Sequence, residues 1–170
     1  MGLGSPSAWA QRLAADATSF IVANKYGVAH VFYQSGGGVG PDECCAGAVA
    51  VDVVNWTATD ENWPDPRRPS GRADPCGGGV VVNINLRYLT CVTTLDASGK
   101  MPDDLTRKTQ QIGLMDLGYG LWADLLSKET GVWQRTNGTM RVGTLTRLPD
   151  NGGCAGFGIG IQTKILQACN

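Results

Sequence analysis

The stretch Val80-Val81-Val82-Asn83-Ile84-Asn85-Leu86-Arg87-Tyr88-Leu89-Thr90-Cys91-Val92 decides the fold. Val80, Val82, Ile84, Leu86, Tyr88 and Val92 fall on one side of a period-two pattern, and Asn83, Asn85 and Arg87 fall on the other. Alternation of this length makes a long strand with one apolar face and one wet face. Such a strand needs neighbours in a sheet and a cover over its apolar side. The flanking sequence supplies both.

Cys45 to Trp56 reads as a second long strand, with Val49, Val51 and Val53 on one face and Asp52 opposite, toward water or a neighbour. Val28 to Tyr33 reads as a short strand, and Ser35 to Pro41 as a loop. Asn137-Gly138 is a turn. After it, Met140, Val142, Thr144, Thr146 and Leu148 alternate with Arg141, Leu145 and Arg147. Pro149 to Gly153 reverses the chain into a last strand, with Phe157, Ile159, Ile161 and Ile165 on one face and Gly156, Gly158 and Gly160 on the other. That bare face suits a close backbone approach or a strong bend.

Pro102-Asp103-Asp104 places negative charge at a helix start, where the dipole favours it. Leu105, Ile112, Met115, Tyr119, Trp122 and Leu126 follow at helical spacing, and Leu114, Leu117, Leu121 and Leu125 widen the stripe. The spacing predicts a helix over 103–128 that covers the sheet, with Trp122 buried. Gly113, Gly118 and Gly120 weaken it by about 1 kcal/mol each relative to alanine, and allow close approach to a strand or another subunit. Ser5-Pro6 starts an N-terminal helix over 6–24, with Trp9, Leu13, Ala17, Phe20 and Ile21 near one stripe and Gly27 as its stop. The expected class is α+β: a mixed, mostly antiparallel sheet of about four to five strands, one long covering helix and an N-terminal helix.

The 170 residues fit a single domain, 1–170, with a long proline-rich loop or arm at 57–79. That segment holds Pro64, Pro66, Pro69 and Pro75, which a sheet ladder excludes. It also carries charges of both signs. Trp56, Trp63, Arg67, Arg68 and Arg72 are the candidate subunit contacts, because exposed tryptophan suits a partner. The formal net charge is −1, so the basic excess usual in nucleic-acid binders is missing. No apolar run is long enough to span a membrane. Met1 to Ala10 lacks the basic-then-apolar order of a signal peptide, so export is not expected and the sequons at Asn55 and Asn137 read as accidental.

Catalytic constellations are not legible, and neither a cofactor nor a metal is expected. His30, the single histidine, reads as a core or loop residue, with a small hydrolase using it and a carboxylate as the alternative. Gly36 to Gly40 lacks the Lys-Ser/Thr of a phosphate loop. Asp103, Asp104 and Asp116 read as capping and solvated acids. Arg87, Arg141 and Arg147 would form a basic patch on the polar sheet face if their strands are neighbours. The six cysteines, Cys44, Cys45, Cys76, Cys91, Cys154 and Cys169, lack the C-x-x-C pairs of zinc sites. Most read as small buried apolar residues, with one or two bridges left open in a particle that meets oxidising surroundings; a secreted disulfide-bonded binding module is a separate alternative.

The order helix, long strand, long loop, long strand, helix and hairpin resembles the tail terminator proteins of long-tailed bacteriophages. Strand 80–92, helix 103–128 and hairpin 139–168 carry the likeness. The resemblance implies a structural virion protein, not an enzyme, that is assembled in the host cytoplasm. It implies a homo-oligomeric ring, a hexamer, at the head-tail junction. Such a ring ends the tail tube and joins it to the capsid neck. Its partners would be the tail tube protein and a head-completion or connector protein, with genome DNA passing through the lumen without sequence-specific binding and no membrane involved. A head-completion or stopper protein, or the tube protein itself, shares related architecture.

Overall fold

The computed structural model describes residues 5–34, 44–59, 79–92, 103–130, 139–151 and 153–166. Its elements, in chain order, are α1 (Pro6–Ala23), β1 (His30–Gln34), β2 (Ala48–Thr59), β3 (Gly79–Cys91), α2 (Asp104–Thr130), β4 (Met140–Asn151) and β5 (Cys154–Leu166). They build an α+β fold with one five-stranded sheet in the order β1-β2-β3-β5-β4. β1 runs parallel to β2, and every other pairing is antiparallel. The strongly alternating strand, β3, is therefore the centre of the sheet.

Ser5 caps α1, accepting a hydrogen bond from the Ala8 amide at 3.2 Å, with Pro6 in the first turn. α1 ends at Asn24, before the expected stop at Gly27, and Lys25 turns the chain at φ 67°. Its buried face is Trp9, Ala10, Leu13, Ala14, Ala17 and Ile21, and the alanines let the helix lie close on β2 and β3. α2 lies over β4 and β5. Between helices and sheet sits one core that includes Val49, Val51, Val82, Ile84, Leu86, Tyr88, Phe157, Ile159 and Ile161. Neither described helix is long and apolar enough to cross a membrane.

The buried stripe of α2 differs from the leading stripe of the sequence pattern. Leu114, Leu117, Leu121 and Leu125 enter the core, whereas Leu105, Ile112, Met115 and Tyr119 face outward. The glycines decide between them. A Cβ on Gly118 would stand 3.0 Å from the Phe157 ring, so this side of the helix sits on the sheet. Gly113 and Gly120 meet Tyr26 and Phe20 in the same way, bringing α2 against the α1 end. Trp122 is only half-buried, with its indole N–H donating to the Gly143 carbonyl at 2.8 Å.

β4 also departs from simple alternation. Its register against β5 shifts between Val142 and Leu145. That bulge turns Leu145 inward with Met140 and Val142, and moves Thr146 and Leu148 to the outer face opposite Gly158 and Gly156. Within the β5 glycine row, Gly156 is demanded by backbone, because a Cβ there would stand 1.8 Å from the Tyr88 carbonyl oxygen, whereas one on Gly158 or Gly160 would meet nothing nearer than a side-chain atom, at 3.6 Å and 4.0 Å.

The β1–β2 junction needs glycine too. Gly47 has φ 86°, and its carbonyl accepts from the Ala29 amide at 2.9 Å. Beside it, the buried Tyr88 hydroxyl donates to the Gly27 carbonyl at 3.0 Å. Burial pushes the Tyr88 phenol above its ordinary range.

Four cysteines expected to be mostly reduced are instead paired, as Cys44–Cys154 and Cys45–Cys91. The topology explains it: Cys91 stands opposite Cys154 on neighbouring strands, and the adjacent pair Cys44-Cys45 leads into β2 beside them. Cys76 and Cys169 lie outside the described residues.

Candidate functional site

The expected basic patch does not form as one surface. Arg87 lies on the outer face, but its guanidinium donates to the Asp52 carboxylate in a close ion pair. Asp52, expected toward water or a neighbour, is buried. Its neighbours on that face of β2, Ala48 and Ala50, are buried too. Arg141 also belongs to the outer face, opposite Gln162. Arg147 stands opposite the inward Phe157, so the β4 bulge sends it to the other side of the sheet. The three arginines thus have three settings: a neutralised pair, an exposed outer-face cation and an edge cation on the helix side.

In place of a basic patch, the outer face presents a row of amides across neighbouring strands. Asn55, Asn83, Gln162 and Arg141 are consecutive register partners on β2, β3, β5 and β4. The Asn83 amide donates to Asn55 Oδ1 at 2.5 Å, and the Gln162 amide donates to Asn83 Oδ1 at 2.9 Å. The row borders a cleft of 460 Å³ whose lining includes Asn85, Glu129, Arg141 and Gly160. Glu129 accepts from the Val142 amide at 2.9 Å next to the bulge. Amides with mutual partners and one cation suit a polar protein surface or extended backbone. The alternation of β3 announces Asn83 and Asn85 as outward polar residues. Their partnership with Asn55 and Gln162 depends on register across three strands, which no local pattern contains.

On the other side of the molecule, α2 exposes an apolar row. Leu105 is 74 % exposed, Ile112 48 %, Met115 62 % and Tyr119 63 %. The spacing of seven between Leu105, Ile112 and Tyr119 keeps them on one helical face. Because Gly113 and Gly120 turn toward the α1 end, Met115 and Tyr119 turn away from it. Large apolar side chains exposed on one helical face make this row a candidate contact surface.

The remaining sequence candidates divide by position. Trp56, near the end of β2, is 64 % exposed. Trp63, Arg67, Arg68 and Arg72 lie outside the described residues. His30 is exposed at the start of β1, with its ring stacked on Phe32 at 5.8 Å between centroids. It is a margin residue, not a core one. Asp103 caps α2, accepting from the Thr106 amide at 2.5 Å, and this hydrogen bond holds its carboxyl below the usual range. No protein-family model matches the chain, and no curated protein matches it.

Proposed function

We propose that this chain is a structural assembly protein of the tail terminator kind. It forms a homo-oligomeric ring at the phage head-tail junction, ends the tail tube and joins it to the neck. The observation that carries the reading is the exposed row Leu105, Ile112, Met115 and Tyr119 on α2. Four large apolar side chains left in water on the main covering helix favour a subunit contact over a free surface. The element order supports the specific kind, since it is the order on which the resemblance rests. In a closed ring, each subunit offers one surface to a different surface of its neighbour. The amide row and the exposed Trp56 are then available to the rings above or below. The expected arm at 57–79 begins and ends inside β2 and β3, so in this reading only the connection between them, 60–78, is assigned to a neighbour contact.

Native mass measurement of the purified chain, alone and with tail tube protein, tests the reading. A ring of defined stoichiometry is expected, a hexamer by the resemblance. Deleting residues 60–74 should abolish assembly while leaving the domain folded. A chain that stays monomeric at high concentration and in the presence of tube protein would overturn the proposal.

A second reading rests on the two disulfides. Covalent pairs are commonest in oxidising surroundings, which suits a secreted binding module. Thiol counting on chain taken directly from cells separates the two. Free thiols at Cys45 and Cys91 favour cytoplasmic assembly, and blocked ones favour export.

A further inference from the structure

We propose that the reduced chain holds one Zn²⁺ through Cys44, Cys45, Cys91 and Cys154. The sulfur atoms of Cys44, Cys45 and Cys91 all lie within 4.8 Å of one another. Cys154 is the fourth ligand we assign: its sulfur is bonded to that of Cys44 and its backbone stands in register with Cys91, and it joins from outside the group of three. Around a tetrahedral zinc with bonds of about 2.3 Å, thiolates stand about 3.8 Å apart. Once both S–S bonds open, the sulfurs spread to that separation about the metal.

The usual sequence mark of a zinc site is a close C-x-x-C pair, whose turn aims two sulfurs at one point. Here two other devices do the aiming. The adjacent Cys44-Cys45 is held by a turn in which the Gly47 amide donates to the Cys44 carbonyl at 2.8 Å. The cross-strand pair Cys91 and Cys154 is fixed by the β3–β5 register. The backbone of both pairs is thus placed by the fold itself, and preorganisation of this kind lowers the ordering cost of binding. Burial divides the set usefully. Cys44 and Cys154 are buried, giving a dry inner half, and Cys45 and Cys91 are open to solvent, giving an entrance. An all-sulfur set selects zinc over magnesium or calcium, which prefer oxygen.

The chemistry balances without unnamed reagents. A thiol reductant opens each disulfide by exchange, so two protein thiols form while two reductant thiols are oxidised to one disulfide. Zinc then displaces the thiol protons, since only thiolates bind it. The metal would tie the start of β2 to the end of β3 and the start of β5, where the disulfides tie them in the oxidised chain. This inference is independent of the ring proposal, and its test does not involve assembly.

The full chain is reduced with a water-soluble phosphine, which takes oxygen from water and leaves both protons on the sulfurs. Excess reagent is removed anaerobically and Zn²⁺ is added. Native mass spectrometry should give one zinc per chain, and Co²⁺ in its place should give the sulfur-to-metal absorption of a tetrahedral thiolate site. Zinc should protect Cys44, Cys45, Cys91 and Cys154 from alkylation in the unmutated chain, leaving Cys76 and Cys169 reactive. Cys45→Ser should weaken zinc binding by more than about tenfold, whereas a Cys76→Ser and Cys169→Ser double variant should leave it unchanged. Reduced, folded chain that takes up no zinc would overturn the proposal. So would protection that falls on other cysteines, or binding indifferent to Cys45→Ser.

Discussion

At the scale of single residues, the ion pair of Asp52 and Arg87 sets a buried carboxylate against one cation. A buried pair contributes little beyond an apolar replacement, but removing one partner strands the other charge. Arg87→Met should therefore cost about 3 kcal/mol in urea unfolding, because Asp52 stays buried without its cation. Adding Asp52→Val should recover most of that loss. Additive costs in the double variant would mean that the two side chains do not act as a unit. Tyr88 gives a second test with a pH signature. Tyr88→Phe removes the hydrogen bond to the Gly27 carbonyl and should cost about 1 kcal/mol at neutral pH. The folded phenol titrates above the unfolded value of about 10. Its stabilisation is therefore complete below that value and declines as pH rises past it, because the unfolded chain ionises first. The stability gap between wild type and Tyr88→Phe should accordingly narrow above pH ~10, as read by denaturant unfolding across that range. Neither residue's partner is visible locally in sequence. Asp52 and Arg87 meet only because β2 and β3 pair in one register, although alternation already places both on the same outward face.

At the scale of elements, the helices and strands are readable from the sequence, and the direction in which α2 faces is not. A hydrophobic stripe has a period but no label, and α2 carries two stripes. The Leu114, Leu117, Leu121 and Leu125 stripe enters the core, with Gly118 admitting the Phe157 ring. Leu121→Ala should cost about 3 kcal/mol by opening a cavity, whereas Met115→Lys should change monomer stability by less than about 0.5 kcal/mol. Equal costs in chemical denaturation would mean that the outward row is core. The β4 bulge is the second feature hidden from local pattern, since one extra stretch of chain reverses the faces of Leu145 and Arg147 relative to simple alternation. The start of α2 is legible, and it makes a pH prediction. Asp103→Asn keeps a capping side chain and removes the charge. The Asp103 carboxyl is lowered in the folded chain, so its stabilisation is present above the unfolded value of about 3.9 and is lost as pH falls through the lower folded value. The variant should melt below wild type at neutral pH, and the two should converge in acid.

At the scale of the whole molecule, the two flanks of the sheet are unlike, and this difference makes the ring proposal testable at its junction. α1 covers β2 and β3, and α2 covers β4 and β5, so among the described residues β1 is the strand least covered by a helix. Val31 and Tyr33 on β1 stand opposite the core residues Val49 and Val51, yet they are exposed. On α2, the exposed Met115 and Tyr119 turn away from the α1 end. A head-to-tail contact would set the α2 row of one copy over β1 of the next, continuing the helical layer across the junction. Met115→Lys and Tyr33→Lys should each abolish self-association, because each spoils one half of every junction. Mixing the two variants should restore a single junction, between the intact β1 flank of Met115→Lys and the intact α2 row of Tyr33→Lys, and assembly should stop at a heterodimer. Two unlike surfaces predict this outcome, whereas a two-fold contact of one surface with itself does not. Sedimentation of each variant alone and of the mixture reads the result. Full-size assemblies from either variant alone would remove these flanks from the junction.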